Sequence, residues 1–343
     1  MKKLLNVLYV TNPDAKANLE NENVCIKVDD ETLLKVPLLN LEGIVLFNYF
    51  GATPQLMAEC AKRNIAINFL SSYGKYLGTF HGETKGNVLL RREQYRIADI
   101  LDNSISFARN FVFGKLHNQK WVIERGLRDH SIRLDENSLK AISSQITDNM
   151  KKALECNDTD VLRALEGNSA SAYFKAFDEL ILANKTEFFL SNRNRRPPTD
   201  PVNAMLSFSY TLLASECKHA LEAVGLDSYV GFYHVDRPGR SSLALDVMEE
   251  LRPHFADRFV LSLINRGEIT PADFITQESK AVSLTDEARK TFLSGWQKRK
   301  KEMITHPFLK EKIEWGLVPH VQALLLARTI RGDLEEYPPF LWK

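Results

Sequence analysis

A chain of 343 residues with 44% hydrophobic and 26% charged side chains can bury a full core and is long enough for two domains. Its 45 Lys and Arg stand against 44 Asp and Glu, a formal charge of +1, so no global field draws it to nucleic acid or to a membrane, and any basic surface must be local. Cys25, Cys60, Cys156 and Cys217 form no CxxC pair, which argues against a zinc ribbon, an iron-sulfur cluster or a disulfide framework. Together with the lack of a signal-peptide core after Met1-Lys2-Lys3 and of any run long enough to span a bilayer, this gives a cytoplasmic expectation.

In chain order, short apolar or alternating runs at Leu4 to Val10, Val24 to Val28, Leu33 to Val36, Gly43 to Phe47, Ile65 to Leu70 and Tyr76 to Phe80 predict strands. Thr53-Pro54 supplies an N-cap and a first-turn proline for one helix, Thr53 to Arg63, and Ser71-Ser72-Tyr73-Gly74 reads as a hairpin turn. The polar stretch 81–87 reads as a linker, beyond which the period becomes helical. The expected fold class is therefore α+β: a small β-rich domain with one helix over 1–80, then a larger, mainly α-helical domain over 88–343.

Helical spacing runs from Leu89 through Ile123, from Asn137 to Cys156, and from about Asp160 to Asn184. In the last of these, Glu166 falls inside an apolar arc with Leu162, Tyr173 and Phe177, which is costly for a carboxylate unless it is paired or bound to a cation. Both readings stay open: an ion pair to Lys or Arg, and metal ligation. Arg193, Arg195 and Arg196 make the loop before Pro197-Pro198 the best local candidate for phosphate contact. Asp200-Pro201 opens an apolar helix that Gly225 closes.

Gly231-Phe232-Tyr233-His234 then leads through an Arg, Pro and Gly turn to Ser241-Ser242, a potential N-cap, and to a helix expected to end at Arg252-Pro253. Asp246 and Glu249 lie one turn apart on it, on the side away from its apolar arc. An imidazole with two carboxylates suits magnesium or manganese; the bland alternative is a solvated acidic flank. A short capped turn at Thr270, a strand near Ala281 to Leu284, the basic run Trp296 to Lys301 and an apolar helix from Val318 to Ile330 complete the chain.

Glu166-Gly167 with Tyr173-Phe174, the loop Arg196-Pro197-Pro198-Thr199-Asp200-Pro201-Val202-Asn203, Gly231-Phe232-Tyr233-His234, and Leu243 to Pro253 together resemble the CRISPR-associated Cas1 family, the endonuclease-like integrase of spacer acquisition. The resemblance covers the whole chain, including Tyr337-Pro338-Pro339. It implies that Glu166, His234 and Glu249 bind Mg2+ or Mn2+, with Asp246 as a neighbouring catalytic carboxylate. It implies a homodimer formed through the β-rich domains, a Cas2 dimer bridging two such homodimers, and double-stranded DNA laid across the assembly. A type I variant with Cas4 as an associate fits the length and the Pro-Pro-Thr-Asp loop. The implied reaction is transesterification, in which a 3′-hydroxyl of captured DNA attacks a phosphodiester at the edge of a CRISPR repeat. The rival readings are a stand-alone metal-dependent nuclease on branched or repair DNA and a non-catalytic DNA-bending scaffold.

Overall fold

The computed structural model describes residues 7–41, 43–71, 76–83, 87–194 and 197–343, and the chain divides into two units. The first comprises Met1–Lys85, Asp286–Met303 and Glu314–Leu317, and the second the remainder. Its first elements are β1 (Val7–Val10), β2 (Lys16–Glu20), β3 (Asn23–Val28), β4 (Glu31–Pro37), β5 (Gly43–Leu46), α1 (Pro54–Lys62), β6 (Ala66–Leu70) and β7 (Tyr76–Phe80). β1, β5 and β6 pair in parallel and β7 closes that sheet antiparallel to β6, while β2, β3 and β4 form an antiparallel meander. Asn21-Glu22 and Asp29-Asp30 turn the meander with φ of 45° and 60°, then 47° and 66°, the mirror-image geometry that matches strand twist. Thr53 caps α1 as expected, accepting from Leu56 N at 3.4 Å, and Leu56 and Cys60 bury one face of α1 against Ile44, Leu46 and Ile67.

Strand β2 is absent from the sequence reading because the run after Thr11 is polar. Its apolar signal is confined to Ala15 and Ala17, both fully buried, and half-buried Leu19. Ser72-Tyr73-Gly74 of the expected turn and residues 84–86 of the expected linker lie outside the described residues.

The second unit is built from α2 (Val88–Asp99), α3 (Leu101–His130), α4 (Glu136–Glu155), α5 (Thr159–Glu179), α6 (Pro201–Val224), α7 (Ser242–Arg252) and α8 (Arg258–Asn265), with the short hairpin β8 (Phe274–Thr276) and β9 (Val282–Leu284). Extended backbone at Ile100 (φ −115°, ψ 112°) divides the long stretch from Leu89 into α2 and α3. The carboxylates of Asp135, Asp158 and Asp200 cap α4, α5 and α6 by accepting from backbone N–H groups two or three residues on, and Gly225 ends α6 at φ 90°.

The expected start of α7 fails for a physical reason, while its expected end holds. Neither serine supplies a side-chain cap: Leu243 and Ala244 donate instead to the Ser228 carbonyl at 3.1 and 3.3 Å, and Ser242 Oγ donates to Val235 O. α7 ends at Arg252 as expected, but Pro253 does not turn the chain away: its φ of −62° and ψ of −43° are helical, and a wider π turn, Pro253–Asp257, accommodates its missing N–H before α8.

After α9 (Asp286–Lys300) and the strands β10 (Met303–Thr305) and β11 (Lys312–Glu314) comes α10 (Val318–Ile330). Assigning all of 88–343 to the second domain places α9 with the helices, yet it belongs with the first unit. Phe292, Leu293 and Trp296 are buried, Gln297 donates to Val7 O at 3.2 Å, and the Arg289 guanidinium lies 5.9 Å from the Phe47 ring centre. Four consecutive basic residues disguise the apolar face that fixes its place.

Helices α3 and α7 approach closely at Gly114, where a Cβ would stand 2.9 Å from Glu250 Cβ and 3.0 Å from Pro339 Cβ. The segment Tyr337–Trp342 is tied to this junction. Glu250 Oε1 accepts from Gln322 Nε2 at 3.0 Å and from the Tyr337 hydroxyl, and its Oε2 accepts from Phe340 N at 2.6 Å. Asn118 donates to the carbonyls of Glu250 and Phe340 and accepts from Trp342 N.

Candidate active site

Four elements of the second unit bring charged side chains together: Lys115 from α3, Glu166 from α5, His234 from the loop before α7, and Asp246 and Glu249 from α7 itself. The loop is held by Asp246. This fully buried carboxylate accepts from Phe232 N at 2.7 Å and Tyr233 N at 3.0 Å through Oδ2, while its Oδ1 accepts from His234 N at 2.9 Å and stands 2.7 Å from His234 Nδ1. Gly231 makes the approach possible, since a Cβ there would lie 2.8 Å from Ser242 Cβ and 2.9 Å from Asp246 Oδ2. With Nδ1 engaged, His234 presents Nε2 towards Glu249, 3.9 Å from Oε1. An imidazole fixed this way is oriented for ligation or proton transfer through Nε2.

Both alternatives drawn for Glu166 lead to the same place. The Lys115 ammonium is ion-paired to Glu166 Oε1 and lies 2.7 Å from Glu249 Oε2, with the lysine side chain 1% exposed. Arg252 adds a second cation, its Nη1 3.3 Å from Glu249 Oε1. Burial pushes the Glu249 carboxyl up, but Arg252, Lys115 and His234 outweigh it and hold the group below the ordinary carboxylate range. Asp246 and Glu249 are therefore buried, not a solvated flank.

Among the described residues no three His, Cys, Asp or Glu side chains are already gathered at ligating distance. The donor set still fits a hard divalent cation, because two carboxylates converge on a buried ammonium and an oriented imidazole stands 3.9 Å from the other oxygen of Glu249. Asp246 fits that role poorly, since both its oxygens are committed to the loop.

Behind the site, the Tyr210 ring lies between two guanidinium groups, Arg193 at 5.2 Å and Arg252 at 5.4 Å from its centre. Its hydroxyl donates to Asp257 Oδ1 at 2.6 Å, and Tyr173 donates to Oδ2 at 3.0 Å. Arg193, expected at a DNA surface, is half-buried and donates to Asn194 O, Asn203 Oδ1 and Ser207 Oγ, which makes it a brace for its own loop. Arg195 and Arg196 lie outside the described residues. A cavity of about 610 Å3 borders His234 and is lined in part by Asp99, Asp158, Asp160, Asp236 and Arg163.

Lys115 escapes the sequence reading. Its signal was present, a lone lysine one helical turn from Phe111, Val112 and Gln119 in a buried stretch, but it could not be matched to a partner without the fold.

The model of the CRISPR associated protein Cas1 family matches residues 8–298. The chain belongs to the Cas1 family. It is 46% identical over the full length of both chains to a CRISPR-associated endonuclease Cas1 of Chlorobaculum tepidum. It is 36% identical, over 97% of its own length and 60% of the other's, to a Cas4 exonuclease/Cas1 endonuclease fusion of Geobacter sulfurreducens. Two solved structures share its fold. A casposase bound to integration product gives a TM-score of 0.85 at 23% identity, covering 99% of this chain and 95% of that one. A chain of a Cas6-RT-Cas1–Cas2 complex gives 0.83 at 23% identity, covering all of this chain and 37% of that longer one. A second whole-length relative, a CRISPR-associated endonuclease Cas1 of Rhodospirillum rubrum, is 45% identical over the full length of both chains.

Proposed function

We propose that this Cas1 joins DNA by metal-dependent transesterification at Glu166, His234 and Glu249, and that the same site hydrolyses DNA when water replaces the 3′-hydroxyl. The observation that carries the reading is the convergence of two carboxylates with an imidazole whose Nδ1 is fixed by Asp246. Glu166, His234 and Glu249 would hold Mg2+ or Mn2+, which when bound polarises the phosphoryl group and stabilises charge on the attacking or leaving oxygen. Asp246 positions His234 and keeps its Nε2 available. In the joining step a P–O bond forms to the incoming 3′-oxygen and the P–O bond to the repeat's own 3′-oxygen breaks, leaving a 3′-hydroxyl after proton uptake, with no covalent protein intermediate.

In the same reading the protein works as an assembly. Leu33, Leu34, Leu39, Tyr49 and Phe50 of the first unit expose large apolar surface, which supports a homodimer through the β-rich domain. The fold shared with a chain of a Cas1–Cas2 complex supports Cas2 as the bridging partner, and the fused relative supports Cas4 as an associate. Double-stranded DNA is the substrate, with Arg195 and Arg196 ahead of Arg193 as phosphate contacts.

The test is a joining assay with a short duplex bearing 3′-hydroxyl ends and a supercoiled repeat plasmid, with and without Cas2, in Mg2+ or Mn2+ and in chelator. Joined product that needs the metal and is lost in Glu166→Ala and His234→Ala is expected. Joining that survives both substitutions places the site elsewhere, and cutting without joining in the presence of Cas2 favours a nuclease.

A further inference from the structure

The lysine at the centre of the site is not explained by two-carboxylate metal chemistry alone. We propose that Lys115 is a positioning residue that holds the metal's place in the DNA-free protein, competes with it for Glu166 and Glu249, and turns to the phosphodiester once the metal takes the carboxylates. This rests on the metal reading above.

Three observations carry it. First, the ammonium contacts both carboxylates, from which a divalent cation would have to displace it. Second, three carboxylates, Glu166, Glu249 and Asp246, already face two cations, Lys115 and Arg252, which leaves a formal excess of only one negative charge, spread over the three backbone N–H groups and the His234 ring that Asp246 engages. A divalent cation added there leaves a buried excess of positive charge, which is unfavourable until an anion arrives. Third, Lys115 has little room to retreat to solvent. It is 1% exposed, its neighbour Gly114 packs tightly against Glu250 and Pro339, and Asn118 one turn on ties α3 to α7 and to Phe340. An ammonium displaced in such surroundings needs another anion, and the scissile phosphodiester supplies one. Lys115 thus makes metal and DNA binding reciprocal, each strengthening the other.

A lysine that merely braces three helices would lower stability when replaced but would not weaken a competitor. Calorimetric titration of Mn2+ into DNA-free wild type and Lys115→Gln separates the two roles. The variant is expected to bind Mn2+ on the order of tenfold more tightly than wild type. A duplex with 3′-deoxy ends, which cannot react, should tighten Mn2+ binding in wild type and do so much less in Lys115→Gln. Lys115→Arg should retain the wild-type pattern.

Equal or weaker Mn2+ binding by Lys115→Gln overturns the proposal while leaving the metal reading standing. Absence of Mn2+ binding to wild type, with and without the duplex, overturns both. If Lys115→Gln does not fold, the wild-type titrations decide, since failure of the unreactive duplex to tighten Mn2+ binding overturns the coupling without any variant.

Discussion

Glu249 and Glu250 are consecutive on α7 and both buried, yet they face opposite environments. Glu249 meets Arg252 and Lys115, with the His234 ring beside them, and these partners hold its carboxyl below the ordinary range against the effect of burial. Glu250 meets only neutral donors, Tyr337, Gln322 and the Phe340 N–H, and burial wins, pushing its carboxyl up to about 7. One side of the helix keeps a charge available for chemistry, while the other uses a carboxyl group as a structural acceptor for a distant segment. Helix position and burial are nearly equal for the two; the charge of the partners decides.

The contrast is broken most strongly at the reactive side. Glu249→Gln is expected to lower joining by about a thousandfold or more while the protein keeps its circular dichroism spectrum, measured by initial rates at saturating Mn2+. Glu250→Ala should do the reverse: it strands the Tyr337 hydroxyl and the Phe340 N–H, lowering stability by about 3 kcal/mol in urea titrations and exposing Tyr337–Trp342 to limited proteolysis, with joining by the folded fraction little changed.

Acid sharpens the same comparison. Glu250, raised from 4.5 to about 7, favours the folded state fully below pH 4.5, and that contribution is lost as pH rises towards 7. Glu249, lowered, contributes above pH 4.5 and loses its contribution as pH falls through its depressed value. The unfolding free energy of wild type should therefore decline relative to Glu250→Gln between pH 5 and 7, with a slope of at most about 1.4 kcal/mol per pH unit; parallel curves would show that Glu250 does not titrate in this window. Asp246→Asn should cost about 10- to 100-fold in joining and in Mn2+ affinity, because the His234 ring loses its orienting acceptor. Tyr337→Phe, which removes one of several donors to Glu250, should cost only about 1 kcal/mol.

Much of this was legible before the fold was known, for reasons that are local. Glu166 betrayed itself by lying in an apolar arc, Asp200 and Gly225 marked the two ends of α6, and His234, Asp246 and Glu249 lie within one short stretch. What escaped depends on contacts between distant residues. Lys115 meets Glu166 across 51 positions and Glu250 meets Phe340 across 90, separations at which no periodicity speaks. Asp246 and Glu249 could be placed on one flank, but not assigned their different tasks, because that difference comes from the Gly231–His234 backbone on one and from α3 on the other. The Ser241-Ser242 cap failed because a carbonyl from Ser228 had already taken the first-turn N–H groups.

The 90-residue separation between Glu250 and Phe340 also bears on synthesis. During translation α7 emerges well before the segment that satisfies its buried carboxyl, so in the nascent helical unit Glu250 has water in place of Tyr337 and Phe340 for the time taken to add those residues. Hydration of Glu250 should keep that seam open until Tyr337 and Phe340 arrive, which delays final packing of α3 against α7 and makes closure of the active-site helices a late, long-range event in folding.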